Sequence, residues 1–183
     1  MEIKEKTLKR ETVYQGRILN LRRDIALLPN GSTAPREVVE HNGGVAVVPL
    51  TEQGEVLLVE QFRYPYMEAT LEIPAGKRDS KDEEPLLCGK RELREETGAT
   101  AADFRPLGML YPSPGYCGEI IWMYLATGLS YGQDDRDEDE FLNLVKMPLE
   151  QAVNMVMSGE IRDAKTQAAL LKTYILRKNG EVK

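Results

Sequence analysis

The sequence predicts a mixed α/β (α+β) fold, in which helices flank a mixed β-sheet and antiparallel strands form an N-terminal extension. Two observations carry this prediction. Short apolar runs of β type occur in clusters, and the most apolar of them are at residues 44–50 and 56–60. Helical patterns occur once in the middle of the chain, at 84–97, and twice near its end, at 149–158 and 165–177.

The first part of the chain has the pattern of antiparallel strands. Residues 3–28 alternate loosely between apolar and polar side chains, and the turn signal PNG follows at 29–31. Residues 36–40 (REVVE) are another strand-like run. We therefore expect an N-terminal β extension over residues 1–42 and a second domain over residues 43–183.

A hairpin is expected between the two most apolar runs. The residues that separate them, TEQG at 51–54, are polar and end in glycine, which suits a tight turn. Strand character returns at 104–126, where PSPG at 112–115 interrupts it. A further strand is expected at 141–146, after a highly acidic loop at 132–140.

The most clearly bounded helix is the one at 84–97. Asp82 can cap its first turn, and Pro85 suits its first helical position. Gly98 suits the position just past its end. These signals predict a helix whose register along the sequence is well defined.

Composition and charge restrict the class of protein. A chain of 183 residues with 42% hydrophobic and 30% charged residues is suited to one domain with a buried core. Its net charge of -6 argues against nucleic acid as the main partner. The two cysteines, Cys88 and Cys117, form no CxxC pair, and no apolar run approaches the roughly 20 residues that cross a bilayer. We expect a cytoplasmic protein with no membrane partner and no signal peptide.

Three glutamates on the middle helix form the chemically informative pattern. Glu92, Glu95 and Glu96 occupy positions i, i+3 and i+4, which share one helix face. Like charges at this spacing repel one another, and Glu83 adds a fourth carboxylate near the helix start. Hard cations such as Mg²⁺ or Mn²⁺ would relieve the repulsion, since they prefer carboxylate oxygens. The alternative is a solvated helix face on which Arg91 pairs with Glu95.

The stretch that contains these glutamates, GKRDSKDEEPLLCGKRELREETGA at residues 76–99, resembles the Nudix box. The box runs Gly, five residues, Glu, seven residues, then Arg-Glu-hydrophobic-any-Glu-Glu-any-Gly-hydrophobic. The part from Glu83 onward fits this pattern, but six residues separate Gly76 from Glu83. The additional residue falls in a loop, where an insertion costs little and leaves the helix register unchanged. The resemblance implies the Nudix fold and leaves the role of Glu83 open.

Outside the box the chain resembles the ADP-ribose pyrophosphatase branch of that family. The resemblance covers roughly residues 35–177. Its motifs are EQFRYP at 60–65, LEIPAG at 71–76, YPSPG at 111–115, DEDE at 137–140 and SGEIRDAKTQAALL at 158–171. The proline that marks this branch, beyond the box glycine, corresponds to Pro114.

The resemblance implies roles for individual residues. The implied metal ligands are the backbone carbonyl of Ala75 and the side chains of Glu92, Glu96 and Glu140. The implied catalytic group consists of Glu138 as the general base, Glu95 through a metal or water contact, and Arg91, which would hold the glutamates in place. The implied substrate contacts are Arg36, Glu37, Arg63, Glu72, Gly115 and Glu119.

The resemblance also implies an activity. Mg²⁺, or Mn²⁺, would assist hydrolysis of the diphosphate bridge of a nucleoside diphosphate sugar, with ADP-ribose as the leading substrate and AMP and ribose 5-phosphate as products. Two alternatives stay open: another sugar nucleotide such as GDP-mannose or ADP-glucose, and a catalytically inactive module that senses a nucleotide. A homodimer that exchanges its N-terminal strands is implied as well. Cys88 and Trp122 are expected to serve packing, and His41 to be structural or exposed.

Overall fold

The computed structural model describes residues 3–132 and 141–182 of the chain. Within these ranges there are ten strands and three helices. The strands are β1 Lys6–Gln15, β2 Asn20–Leu27, β3 Thr33–Glu40, β4 Gly44–Pro49, β5 Glu55–Arg63, β6 Glu68–Glu72, β7 Ala75–Lys77, β8 Ala99–Leu110, β9 Ile121–Tyr131 and β10 Leu142–Pro148; the helices are α1 Pro85–Thr97, α2 Leu149–Ser158 and α3 Ala164–Lys178. The predicted α/β class is confirmed, and all three predicted helices are present.

The chain divides into two compact units, of which the first contains Met1–Gly43 and Tyr111–Ile120. Its sheet has the order β1-β2-β3, and both pairings are antiparallel. Every residue of β1 is exposed, whereas β2 buries Asp24 and Ala26. The predicted antiparallel N-terminal extension is confirmed.

The segment Tyr111–Ile120 joins this first unit through Val39. The backbone N–H of Val39 donates to the carbonyl of Tyr116 at 2.8 Å, and its carbonyl accepts from the N–H of Gly118 at 2.9 Å. The sequence carries no sign of this attachment, because the two segments are far apart along the chain and neither has a patterned face.

The second unit, Gly44–Leu110 and Ile121–Lys183, contains two sheets and the helices. One sheet has the order β7-β4-β9-β8 and the other β10-β5-β6. β4 and β9 run parallel, and the remaining pairs in these sheets are antiparallel, so the larger sheet is mixed.

The burial of β4 shows how helices cover both faces of the larger sheet. Ala46 and Val48 belong to a core cluster that includes residues of α2 and α3. Val45 and Val47 belong to a second cluster, which includes Leu93 of α1. A strand buried on both faces is continuously apolar, which is why the run at 44–50 lacks alternation. No helix among the described residues is long and apolar enough to cross a membrane.

The turn expected at 51–54 is present, but the two strands that it joins do not pair as a hairpin within one sheet. The N–H of Gly54 donates to the carbonyl of Thr51 at 2.9 Å, which closes the turn. Beyond one isolated bridge between Leu50 and Val56, however, β4 and β5 separate into different sheets. β4 is fully buried and β5 is buried at residues 56–59, and each strand pairs with other strands. A polar turn between two apolar runs therefore did not fix their pairing.

Helix α1 begins and ends at clear signals, one of which differs from the expected one. The N-cap is Glu84, whose carboxylate accepts from the N–H of Leu87 at 2.9 Å; the expected cap, Asp82, is wrong. Pro85 fixes this choice because it occupies the first helical position and so makes its predecessor the cap. Gly98 is confirmed as the C-terminal stop, with a φ of 67° that favours glycine.

Candidate active site

Of the three carboxylates on α1, Glu92 and Glu96 form a buried pair and Glu95 is more accessible. Glu92 and Glu96 are 6% and 4% exposed, and they lie on the side of α1 that packs against the sheet. The solvated-face interpretation is therefore wrong for these two residues. Burying a carboxylate is costly, and residues that break the ordinary burial preference are found mainly where function requires them.

Arg91 holds this group of carboxylates together. Its Nη1 lies 2.7 Å from Glu92 Oε1 and 2.9 Å from Glu95 Oε2, and its Nη2 lies 3.4 Å from Glu83 Oε1. Burial lowers the pKa of Arg91, but the charges of Glu92 and Glu95 outweigh burial and raise it. The guanidinium therefore stays charged and sets the orientation of three carboxylates.

Strand β7 closes the buried side of the pair. The backbone N–H of Ala75 donates to Glu96 Oε2 at 3.0 Å. A Cβ on Gly76 would lie 2.0 Å from the Glu92 carboxyl carbon, so only glycine allows this approach. Strand β7 thus supplies both a hydrogen bond and the space that the buried carboxylates need.

A second charged group joins Arg63 of β5 to Glu72 of β6, the last residues of two antiparallel strands. Arg63 donates from Nε and Nη2 to the two oxygens of Glu72, at 2.7 and 2.6 Å. Lys165 of α3 donates to Glu72 Oε2 as well, and the hydroxyl of Thr70 donates to Oε1 at 2.6 Å. Burial raises the pKa of Glu72, but Arg63 and Lys165 offset this and hold it at about 2.

The two charged groups lie close enough to influence each other. The pKa of Arg63 is raised, chiefly by its hydrogen bonds with Glu72, and Glu96 contributes electrostatically to the same shift. The guanidinium of Arg63 therefore interacts electrostatically with the carboxylate of Glu96 on α1. An anionic substrate bound between these groups would face Arg63 on one side. On the other side it would face the carboxylates of α1, whose repulsion a cation would have to offset.

A comparison with known protein families identifies the chain. The NUDIX domain profile matches residues 40–170. The chain belongs to the Nudix family. The profile of the nucleoside diphosphate sugar hydrolase N-terminal domain matches residues 5–39, so this is a Nudix hydrolase of the nucleoside diphosphate sugar type.

Relatives of this Nudix chain cover most of its length. It is 42% identical over 170 residues to a Bacillus subtilis protein named ADP-ribose pyrophosphatase, with 92% of this chain and 91% of the relative covered. It is 41% identical over 168 residues to a Bacillus methanolicus protein named methanol dehydrogenase activator, with 91% and 90% covered. It is 37% identical over 170 residues to the ADP-ribose pyrophosphatase of Mycobacterium tuberculosis, with 92% and 82% covered.

A solved structure shares the Nudix fold of this chain. The crystal structure of an ADP compounds hydrolase superimposes with a TM-score of 0.83, and it covers 98% of this chain and 97% of the other. The sequence identity is 24%, so the likeness shows the fold alone.

Four sequence-predicted substrate contacts of the Nudix chain lie in its first unit. Arg36 donates to Glu5 at 2.9 and 2.6 Å, and Glu37 is exposed. Gly115 is also exposed, and Glu119 lies with Oε1 3.3 Å from Nδ1 of His41. Their roles stay predictions. Glu138 and Glu140, the expected base and additional ligand, lie outside the described residues.

The donor chemistry of the Nudix box fits a hard divalent cation. Glu92 and Glu96 supply buried carboxylate oxygens, and the glycine at position 76 leaves room beside Glu92. Among residues 3–132 and 141–182 no set of three His, Cys, Asp or Glu side chains is arranged as a metal cage. Mg²⁺ is commonly held by one or two carboxylates together with water and substrate phosphate. Two carboxylates from the protein are therefore enough to bind it.

Two buried cations of the second unit were not predicted from the sequence. Lys165 is 8% exposed and also lies 3.0 Å from Asp163, and it belongs to the motif SGEIRDAKTQAALL at 158–171. Arg78 is 7% exposed and stacks over Trp122, with its guanidinium carbon 4.7 Å from the ring centroid. Only the burial of their charged side chains distinguishes these two residues from other cations. The burial of a single position cannot be deduced from the sequence.

The residues that were expected to serve packing do so. Cys88 is completely buried in the cluster beneath α1, and burial raises the pKa of its thiol to about 12. Trp122 packs against the same cluster. His41 is largely buried, and its Nδ1 accepts from the N–H of Gly43 at 3.0 Å, which is a structural role.

Proposed function

We propose that this Nudix hydrolase cleaves the diphosphate bridge of ADP-ribose to AMP and ribose 5-phosphate. The observation that carries the proposal is the buried pair Glu92 and Glu96 on α1, within the electrostatic reach of Arg63. Such a pair is suited to a divalent cation, and a guanidinium is suited to phosphate oxygens. The choice of ADP-ribose is supported by the names of the 42% and 37% identical relatives.

Mg²⁺, or Mn²⁺, is the proposed cofactor. The carboxylates of Glu92 and Glu96 and the carbonyl of Ala75 would hold it, with Glu140 as a further ligand. When bound, the cation supplies charge neutralisation for the diphosphate and lowers the pKa of a coordinated water. Arg91 keeps Glu92 and Glu95 oriented through its hydrogen bonds at 2.7 and 2.9 Å.

The remaining proposed roles concern substrate and water. Arg63 binds the diphosphate, and it is suited to this because Glu72 fixes one edge of its guanidinium while 38% of the side chain stays exposed. Glu138 takes a proton from the water that attacks one phosphorus in line, and the other phosphate leaves. Arg36, Glu37, Gly115 and Glu119 are proposed contacts to the nucleotide.

A substrate panel tests the proposed function. ADP-ribose, ADP-glucose and GDP-mannose are incubated with the full chain and Mg²⁺, and phosphate is measured after phosphatase treatment; parallel samples contain a chelator. We expect ADP-ribose to be cleaved fastest and the chelator to abolish cleavage. Equal rates on all three would remove the preference for ADP-ribose. Cleavage of none of them would favour the inactive sensing module.

We also propose a homodimer formed through the first unit. All ten residues of β1 are exposed, and they include the apolar side chains of Leu8, Val13 and Tyr14. An exposed strand with apolar side chains is suited to pairing with another chain. Sedimentation equilibrium of the full chain should give twice the mass of 20.6 kDa. A species of the single-chain mass at micromolar concentration would contradict the proposal.

A further inference from the structure

We infer that Arg78 is a positioning residue, which fixes the box loop at 77–83 so that Glu83 meets Arg91. The inference rests on the proposed function, because it assigns Arg78 an effect on the cation site at Glu92 and Glu96. It also accounts for the additional residue between Gly76 and Glu83.

The surroundings of Arg78 tie the loop to the sheet. Its Nε donates to the carbonyl of Glu83 at 2.8 Å, and its Nη2 donates to the carbonyl of Lys81 at 2.5 Å and to that of Glu83. Its guanidinium also stacks over the ring of Trp122 on β9. One rigid, planar group thus joins two loop carbonyls to a strand of the larger sheet.

The position of Glu83 follows from this arrangement. Its carbonyl is held by Arg78, and its Oε2 accepts from the N–H of Asp79 at 2.7 Å. Its Oε1 then lies 3.4 Å from Nη2 of Arg91. Because Nη1 of Arg91 contacts Glu92 and Glu95, a displacement of Glu83 would be transmitted to the carboxylates of α1.

The length of the loop explains why such a tie is needed. One additional residue costs little in closure entropy, but it gives the loop more conformations in which Glu83 points elsewhere. Hydrogen bonds from one buried guanidinium to Lys81 and Glu83 select one of these conformations. An arginine at position 78 is therefore matched to the longer spacing of this chain.

A purely structural role for Arg78 makes a different prediction. Loss of buried hydrogen bonds would lower the stability of the whole unit, and its effect on cation binding would add to that of a change at Glu83. If Arg78 acts through Glu83, the two effects overlap, and the double variant binds cations no more weakly than the weaker-binding single variant.

The experiment measures Mn²⁺ binding by electron paramagnetic resonance, without substrate, for the full chain and the variants Arg78→Met, Arg78→Lys, Glu83→Gln and Arg78→Met/Glu83→Gln. We expect Arg78→Met and Glu83→Gln each to weaken binding about tenfold, and the double variant to be no weaker. Arg78→Lys keeps the charge but not the planar fork, and should bind with intermediate affinity. The control Arg105→Met removes an exposed ion pair with Glu181 and should bind as the unaltered chain does.

Three results would overturn the inference: unchanged Mn²⁺ affinity in Arg78→Met, additive losses in the double variant, or no Mn²⁺ binding by the unaltered chain. Circular dichroism establishes that each variant is folded. If Arg78→Met does not fold, unchanged Mn²⁺ affinity in Arg78→Lys would overturn the inference instead. An unaltered chain that binds Mn²⁺ in an Arg78-dependent way but cleaves no sugar nucleotide would refute the proposed function and leave the inference standing.

Discussion

Arg63 and Glu72 form an ion pair with two hydrogen bonds, in which the side chain of Glu72 is 2% exposed and that of Arg63 is 38% exposed. The pair lies on neighbouring strands, so Arg63 is aimed by the sheet rather than by a loop. This geometry supplies a fixed cation for a phosphate at little cost in side-chain entropy, because the ion pair has already ordered the arginine.

Replacing Arg63 by lysine should separate charge from geometry. Lysine keeps the positive charge but cannot form the two parallel hydrogen bonds to Glu72 or present a planar edge to phosphate. We expect kcat/KM for ADP-ribose to fall about tenfold to a hundredfold, with Mn²⁺ binding unchanged. Arg105→Lys, at an exposed ion pair with Glu181, is the matched control. An unaltered kcat/KM in Arg63→Lys would show that Arg63 does not bind substrate.

The pKa of Glu72 predicts a particular acid sensitivity. In the folded chain the pKa is about 2, compared with an ordinary value of 4.5, so the ionised form is stabilised by folding. That stabilisation is fully present above pH 4.5 and is lost as the pH falls towards 2, and it amounts to about 3 kcal/mol.

The comparison that isolates Glu72 is with Glu72→Gln. Because glutamine does not titrate, the difference in the free energy of unfolding between the unaltered chain and this variant should shrink from pH 5 to pH 2. Urea unfolding at several pH values measures it. A difference that stays constant over this range would mean that folding does not lower the pKa of Glu72.

Local signals in the sequence were sufficient for the helices but not for strand pairing. The bounds of α1 follow from Pro85 and Gly98, which act on their immediate neighbours. The partners of β5 are β6 and β10, and β10 lies far from β5 along the chain. A turn at 51–54 has the same sequence whether or not its flanking strands pair, so no local pattern could have excluded the hairpin.

The site was predictable where a motif is contiguous and unpredictable where contacts are long-range. The spacing of Glu92, Glu95 and Glu96 gives a shared helix face directly. The contact of Lys165 with Glu72 joins residues 93 positions apart, and nothing in either local segment indicates it. The substrate contact that the resemblance implies for Glu72 stays a prediction, and its contacts with Arg63, Lys165 and Thr70 were not predicted.

Replacing Glu96 by glutamine tests the cation site. The substitution keeps the shape of the side chain and its capacity to accept from the N–H of Ala75, but removes the charge that a cation needs. We expect kcat for ADP-ribose to fall by several orders of magnitude with the fold intact. Glu150→Gln, at an exposed position on α2, is the control. Full activity in Glu96→Gln would reject Glu96 as a metal ligand.

Replacing Gly76 by alanine tests the space beside the buried carboxylates. A Cβ at this position would lie 2.0 Å from the carboxyl carbon of Glu92, so the side chain of Glu92 has to leave its present position. We expect at least about a tenfold loss of Mn²⁺ affinity and a destabilisation of about 1–3 kcal/mol, because the displaced carboxylate also leaves Arg91. Gly132→Ala is the matched control, since a Cβ there meets no atom of the described residues within 4 Å. Mn²⁺ titration and urea unfolding of both variants measure the two effects, and equal Mn²⁺ affinities in the two variants would show that the close approach of Gly76 to Glu92 has no bearing on cation binding.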